Sequence, residues 1–192
     1  MKHIIDKSFS FCYSHRVHNQ TLDTRFTDRG ENLCACRHLH GHEGLVKLFA
    51  EEVIAGKNIK STGMVVDFKM MSWFKNFIDD ILDHKMILDI NDPLLPHEVP
   101  EYYGVDSLNF EKLEQYPQGY WTPKLSELPE NVSQAIFEKY EGIVFVDFVP
   151  TSENLASWLL TIAVDRMKDI PNVKVCALEY WETPRSHCRV EV

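Results

Sequence analysis

The chain reads as an α+β fold, an antiparallel four-stranded sheet with two helices packed on one face. Two observations predict it. Residues 3–15, 43–54 and 173–182 read as strands whose faces separate by parity and 143–149 as a short apolar strand, whereas apolar residues recur at helical spacing over about 68–82 and 155–167. The resulting order is strand, strand, helix, a poorly patterned stretch, strand, helix, strand, which differs from the regular strand–helix alternation of a parallel sheet. A sheet of so few strands has open edges, and closing a barrel with copies of the same chain is the simplest remedy.

At 192 residues with 44% hydrophobic side chains, the chain suits one domain able to bury a core, or one domain carrying a large insertion. A net charge of −9 argues against a general binder of nucleic acid or of anionic membranes. No apolar run approaches the roughly 20 residues of a membrane span. The opening Met1–Asp6 lacks the apolar core of a signal peptide. Five cysteines, an odd number, read as reduced thiols rather than a disulfide framework, so the expected location is the cytoplasm.

In the first strand, Ile5, Phe9, Phe11, Tyr13 and His15 share one parity, so His15 ends an otherwise apolar row. It is either a metal ligand or a hydrogen-bonded core histidine. A polar loop over 18–34 leads into Cys34-Ala35-Cys36-Arg37-His38-Leu39-His40-Gly41-His42. Residues two apart on a strand face the same side, so His40 and His42 can aim two imidazoles at one point. Gly41 between them permits close backbone approach. Two imidazoles suit zinc, and a catalytic zinc takes three protein ligands with a fourth position open. His15 is the candidate for the third; the alternative is that the His-x-His pair decorates an exposed strand.

Asp67 can cap a helix from about 68 to 82, in which Met70, Met71, Phe74, Phe77, Ile78 and Ile81 form a core stripe. Asp83-His84 follows. It is a proton relay if the carboxylate orients the imidazole, or simply a helix C-terminus with a favourable histidine. Repeated prolines make residues 91–143 an ordered insertion with a short helix near 130–140. After the strand at 143–149, Pro150 and Thr151-Ser152 start a helix reaching about 169. In the last long strand, Glu182 shares its parity with Cys176, Leu178 and Tyr180, so a carboxylate closes an apolar row. It calls for a ligand with two N–H donors or for an internal salt bridge. A short strand over 187–192 can follow.

Phe11-x-x-x-His15, Cys36-x-x-x-His40-Gly41-His42, Gly63–Phe68, Leu82-Asp83-His84, Pro150–Ala156 and Glu182-Thr183 occur in this order. Together they resemble the 6-pyruvoyl-tetrahydropterin synthase / 6-carboxy-tetrahydropterin synthase family over residues 5–90 and 144–186, leaving the insertion uncovered. The resemblance implies a tunnelling fold whose subunits close β-barrels, with active sites at their interfaces, in a hexamer built as a dimer of trimers. It implies a zinc ion on His15, His40 and His42, a cysteine as base, and Asp83 with His84 as relay. It also implies that Glu182 anchors the pterin ring, that Thr151 and Glu153 frame the pocket, and that the substrate is 7,8-dihydroneopterin triphosphate. Arg16, Arg25, Arg29 and Lys69 are candidates for the triphosphate. Three residues separate Cys36 from His40, the spacing of the 6-carboxy branch that serves 7-deazaguanine (queuosine) synthesis, whereas Cys34 stands at the spacing of the 6-pyruvoyl enzymes. The Arg-His-Leu segment favours Cys36 and hence a 6-carboxy-tetrahydropterin synthase. The alternatives are a 6-pyruvoyl enzyme and a pterin-binding homologue without catalysis.

Overall fold

A computed structural model describes residues 1–93, 109–116 and 119–192. The chain divides into two compact units. The first comprises Met1–Cys12, His42–Asp83 and Ser152–Val192, and the second Tyr13–Gly41 and His84–Thr151. Two strands, β1 (Ile4–His15) and β2 (His40–Glu52), each run unbroken from one unit into the other.

In the first unit the strand order is β1, β2, β7 (Val173–Thr183) and β8 (Ser186–Glu191). The pairs β2/β7 and β7/β8 are antiparallel. Alternation decides which side chains go inside: Phe9 and Phe11 from β1 are buried, as are Val46, Leu48 and Ala50 from β2, while their neighbours face outward. Two helices cover this face. From α2 (Trp73–Ile81), Phe74, Ile78 and Ile81 point inward, and Phe74 meets Phe9 edge-on at 5.3 Å between ring centroids. From α4 (Ser152–Met167), Trp158 packs against Phe77. The α+β expectation holds, but the fourth strand of this unit is β8, and the strand expected at 143–149 belongs to the second unit.

Several local details differ from the sequence expectation. Lys57–Thr62 forms a short helix, α1, that the sequence pattern did not point to, between two glycines of positive φ. The Glu52 carboxylate accepts the Gly56, Asn58 and Ile59 amides at its start. Asp67 does cap, taking the Lys69 amide at 2.8 Å, but the turn it opens is a 3₁₀ turn (Phe68–Met71) and α2 starts only at Trp73. That change of pitch leaves Met70 exposed, outside the core stripe.

In the second unit the order is β4 (Phe110–Lys112), β5 (Tyr120–Pro123), β6 (Ile143–Val146), β3 (Lys85–Asp89) and the last three residues of β1. Here β3 lies parallel to both β1 and β6, an arrangement not expected from the sequence. The described part of the insertion is structured: β4 and β5 extend the edge beside β6, and α3 (Gln134–Glu141) occupies the place of the short expected helix. Leu88, Tyr140, Ile143 and Phe145 form the core of this unit, with Phe110, Trp121 and Ile136 packed against them. The parts of the insertion at 94–108 and 117–118 lie outside the described residues.

Candidate metal centre

The apolar row of β1 ends at His15, which is fully buried. On β2 the buried parity of Gly44, Val46, Leu48 and Ala50 continues backwards to His42 and His40, both half-buried. The period that builds the core therefore also turns all three imidazoles to the core side of their strands. Gly41 makes the approach possible, because a Cβ there would stand 3.0 Å from the Tyr13 carbonyl oxygen.

The ring nitrogens are sorted by backbone carbonyls. His15 Nδ1 lies 2.6 Å from the Pro150 oxygen, and His40 Nδ1 lies 2.8 Å from the His38 oxygen. A carbonyl only accepts, so each Nδ1 carries the proton and each Nε2 presents a lone pair. The two Nε2 atoms are 3.2 Å apart. Metal–nitrogen bonds of about 2.0–2.1 Å would set two ligands of a tetrahedral zinc about 3.3 Å apart. Adding His42, one donor atom from each histidine lies within 4.8 Å of the others. Two lone pairs facing each other at this distance call for a cation, so the residues fit a metal ion held by three imidazoles.

Glu182 stands beside His42, with Oε1 3.7 Å from His42 Nε2 and its side chain about one-quarter exposed. Its row is not the one expected. The register between β2 and β7 shifts at Phe49/Ala50, so inward parity passes from Val173, Val175 and Ala177 to Leu178 and Tyr180. This bulge puts Cys176 outside the row, contrary to the simple alternation, and delivers Glu182 to the Tyr180 side. Glu153, exposed in the first turn of α4, acts electrostatically on the Cys188 thiol, which burial first and this charge second push upward. Cys188 pairs with Tyr180, one step along the row from Glu182. Thr151 is half-buried and follows Pro150, the residue whose carbonyl holds His15.

Cys36 lies half-buried in a 3₁₀ turn (Ala35–Arg37) in which no side chain is fully buried. The Cys34 sulfur accepts the Cys36 amide at 3.4 Å, which gives Cys34 a capping contact. Asp83 follows α2, and its carboxylate accepts the Cys12 amide at 2.8 Å. That bond comes one residue before β1 begins to pair with β3. His84 takes a left-handed backbone (φ 58°) and is exposed, so the chain turns sharply just before β3. Of the four cations proposed for a triphosphate, Arg16 is engaged by Asp92 and Arg25 by Asp23. The carbonyls of Pro150 and His38 were not foreseen. The only signal in the sequence was Pro150 standing at the head of the Thr151–Glu153 motif.

Comparison with known proteins decides the lineage. Residues 4–192 match the family described as 6-pyruvoyl tetrahydropterin synthase. The chain belongs to that family. A relative from Aquifex aeolicus, named 6-carboxy-5,6,7,8-tetrahydropterin synthase, is 28% identical over 97% of this chain and 96% of its own length. The crystal structure of an uncharacterised protein from Wolinella succinogenes is 40% identical, with a TM-score of 0.82 over 100% of this chain and 98% of that one. The 6-pyruvoyl tetrahydropterin synthase of Plasmodium falciparum shares the fold at 16% identity, with a TM-score of 0.54 over 100% and 98% of the two chains. Among the described residues, no helix is long and apolar enough to cross a membrane.

Proposed function

We propose that the chain is a zinc-dependent 6-carboxy-5,6,7,8-tetrahydropterin synthase. It would be a carbon–oxygen lyase in its loss of triphosphate, and with one water taken up it would also break the side chain's carbon–carbon bond, so that 7,8-dihydroneopterin triphosphate and water give 6-carboxy-tetrahydropterin, acetaldehyde and triphosphate, for 7-deazaguanine synthesis. The observation that carries the proposal is the pair of Nε2 atoms 3.2 Å apart, each with its Nδ1 on a carbonyl. The names of the curated relatives and the Cys36 spacing support the 6-carboxy product.

In this reading, His15, His40 and His42 hold zinc, which when bound supplies Lewis-acid polarisation of the substrate's side-chain oxygens. Glu182 accepts the paired N–H groups of the guanidine-like pterin edge, fixing the ring so that its side chain extends toward the histidines. Thr151 and Glu153 frame the ring. The Cys36 thiolate takes a proton from the side-chain carbon, and His84, with Asp83 beside it in sequence, gives or accepts the second. The capping contact of the Cys34 sulfur supports Cys36 as the base, and with it the 6-carboxy reading over the 6-pyruvoyl one. The chain acts as one tetrahydropterin-synthase domain with 91–143 inserted in it. It works in the cytoplasm as a homo-oligomer, a hexamer of two trimers.

The test is a product assay. Zinc-loaded protein with 7,8-dihydroneopterin triphosphate should release acetaldehyde and 6-carboxy-tetrahydropterin, read by mass spectrometry. A 6-pyruvoyl product moves the chain to the other branch, and pterin binding without turnover makes it a binding protein.

A further inference from the structure

The segment just beyond His15 is held by two buried carboxylates that the reaction does not use. Arg16 Nε lies 2.9 Å from Asp92 Oδ2, and His18 Nε2 lies 3.0 Å from Asp89 Oδ2. Asp89 and Asp92 are 4% and 2% exposed, and their partners' side chains are only 12% exposed. Asp89 is the last residue of β3, and its other oxygen accepts the Asn91 amide and side-chain N–H. It is therefore anchored on both sides. Between Arg16 and His18, the Val17 amide donates to the Cys36 carbonyl at 2.8 Å. The Cys36 turn has no fully buried side chain to fix it, so this bond links it to the strand that carries His15.

We infer that Asp89 and Asp92 are positioning residues: through His18 and Arg16 they clamp the Val17 amide and so set the distance between the Cys36 sulfur and the His15 and His40 imidazoles. The inference rests on the proposed role of Cys36 as base. A carboxylate buried this deeply costs much to desolvate, so Asp92 depends on the Arg16 charge and Asp89 on the His18 hydrogen bond that offset that cost. A base displaced by about 1 Å loses on the order of a hundredfold in rate. The clamp thus gives an exposed turn the precision that its own packing does not supply.

The experiment compares His18→Leu, His18→Gln and Arg16→Lys in zinc-loaded full-length protein. Three quantities are read: hydrogen exchange of the Val17 amide, alkylation of Cys36 followed peptide by peptide, and turnover. In His18→Leu, Val17 exchange and Cys36 alkylation should rise about tenfold or more while Cys12 alkylation stays constant. In the same variant kcat should fall by about ten- to a hundredfold at constant KM. His18→Gln, which can still donate to Asp89, should return all three to within about threefold of the parent. If His18→Leu does not fold, Arg16→Lys decides on the same readouts, because it keeps the charge but loses the Nε contact. Unchanged exchange and alkylation in a folded variant overturn the clamp. A parent protein that does not turn over the pterin overturns the functional reading instead, while exchange and alkylation still judge the clamp.

Discussion

Replacing Glu182 by Gln separates the proposed pterin anchor from the candidate metal site. The substitution keeps the shape of the side chain and removes its charge, so one of two accepting oxygens becomes a donor facing the ligand's N–H group. A hydrogen bond to a charged group contributes about 1.5–3 kcal/mol. Gln keeps one accepting oxygen and the Glu182 side chain is one-quarter exposed, so the loss is about that of one such bond. A loss of about 2–3 kcal/mol corresponds to a dissociation constant raised roughly 30- to 150-fold. Zinc should hardly respond, because Glu182 Oε1 is 3.7 Å from His42 Nε2, beyond hydrogen-bond length. Calorimetric titration of zinc-loaded protein with 7,8-dihydroneopterin measures the first quantity, and metal analysis after dialysis measures the second. Wild-type pterin affinity in Glu182→Gln refutes the anchor. Parallel loss of zinc and pterin refutes the separation of the two sites.

Zinc at a hundredfold excess over its dissociation constant should stabilise the protein by about 2.7 kcal/mol, a rise in Tm of roughly 5–11 °C. His40→Ala should abolish that response in scanning calorimetry, and an undiminished shift would count against the triad. Cys36→Ala should lower kcat by about 10²–10⁴, while Cys34→Ala, which loses only the contact to the Cys36 amide, should cost less than about tenfold. The reverse ranking in steady-state kinetics would transfer the base to Cys34. For pH, the Lys2 hydrogen bond holds the Glu51 carboxyl below its ordinary value of 4.5, against its desolvation and with help from Lys174. The folded pKa is the lower one, so this stability is complete above about 4.5 and is lost as pH falls through the folded value. Urea midpoints followed from pH 6 to 3 should drop more steeply for the parent than for Glu51→Gln, and equal slopes would show that the pair does not act.

Much of the fold was legible because one period carries both packing and chemistry. On β1 the alternation that buries Phe9, Phe11 and Tyr13 also fixes the side on which His15 emerges. On β2 it orients His40 and His42 before the apolar row begins, and the strand starts at His40 itself rather than at 43. Where the period is broken by something non-local, the sequence is silent. The bulge opposite Phe49/Ala50 is set by pairing between β2 and β7, so Cys176 reads as inward in isolation yet lies off the row. β3 was hidden because five residues following a helix and an Asp-His pair resemble a helix end, and only pairing with β1 and β6 makes them a strand. β4 and β5 were hidden by prolines, which are tolerated at this edge, with Pro123 ending β5.

The same contrast explains why the histidines were readable and their orientation was not. Sequence spacing places a side chain on a face, but a ligand also needs its lone pair aimed, and that is decided by the hydrogen bond on the opposite ring nitrogen. For His40 the partner is local, the His38 carbonyl two residues back. For His15 it is Pro150, 135 residues away, just before α4 begins. Proline has no N–H and cannot extend a ladder at that point, but its carbonyl remains free to accept. The Pro150–Glu153 motif therefore serves two ends at once. Its first residue aims the imidazole of a candidate metal ligand, and its next ones, Thr151 and Glu153, are those proposed to frame the pterin. A substitution that shifts the start of α4 should disturb both.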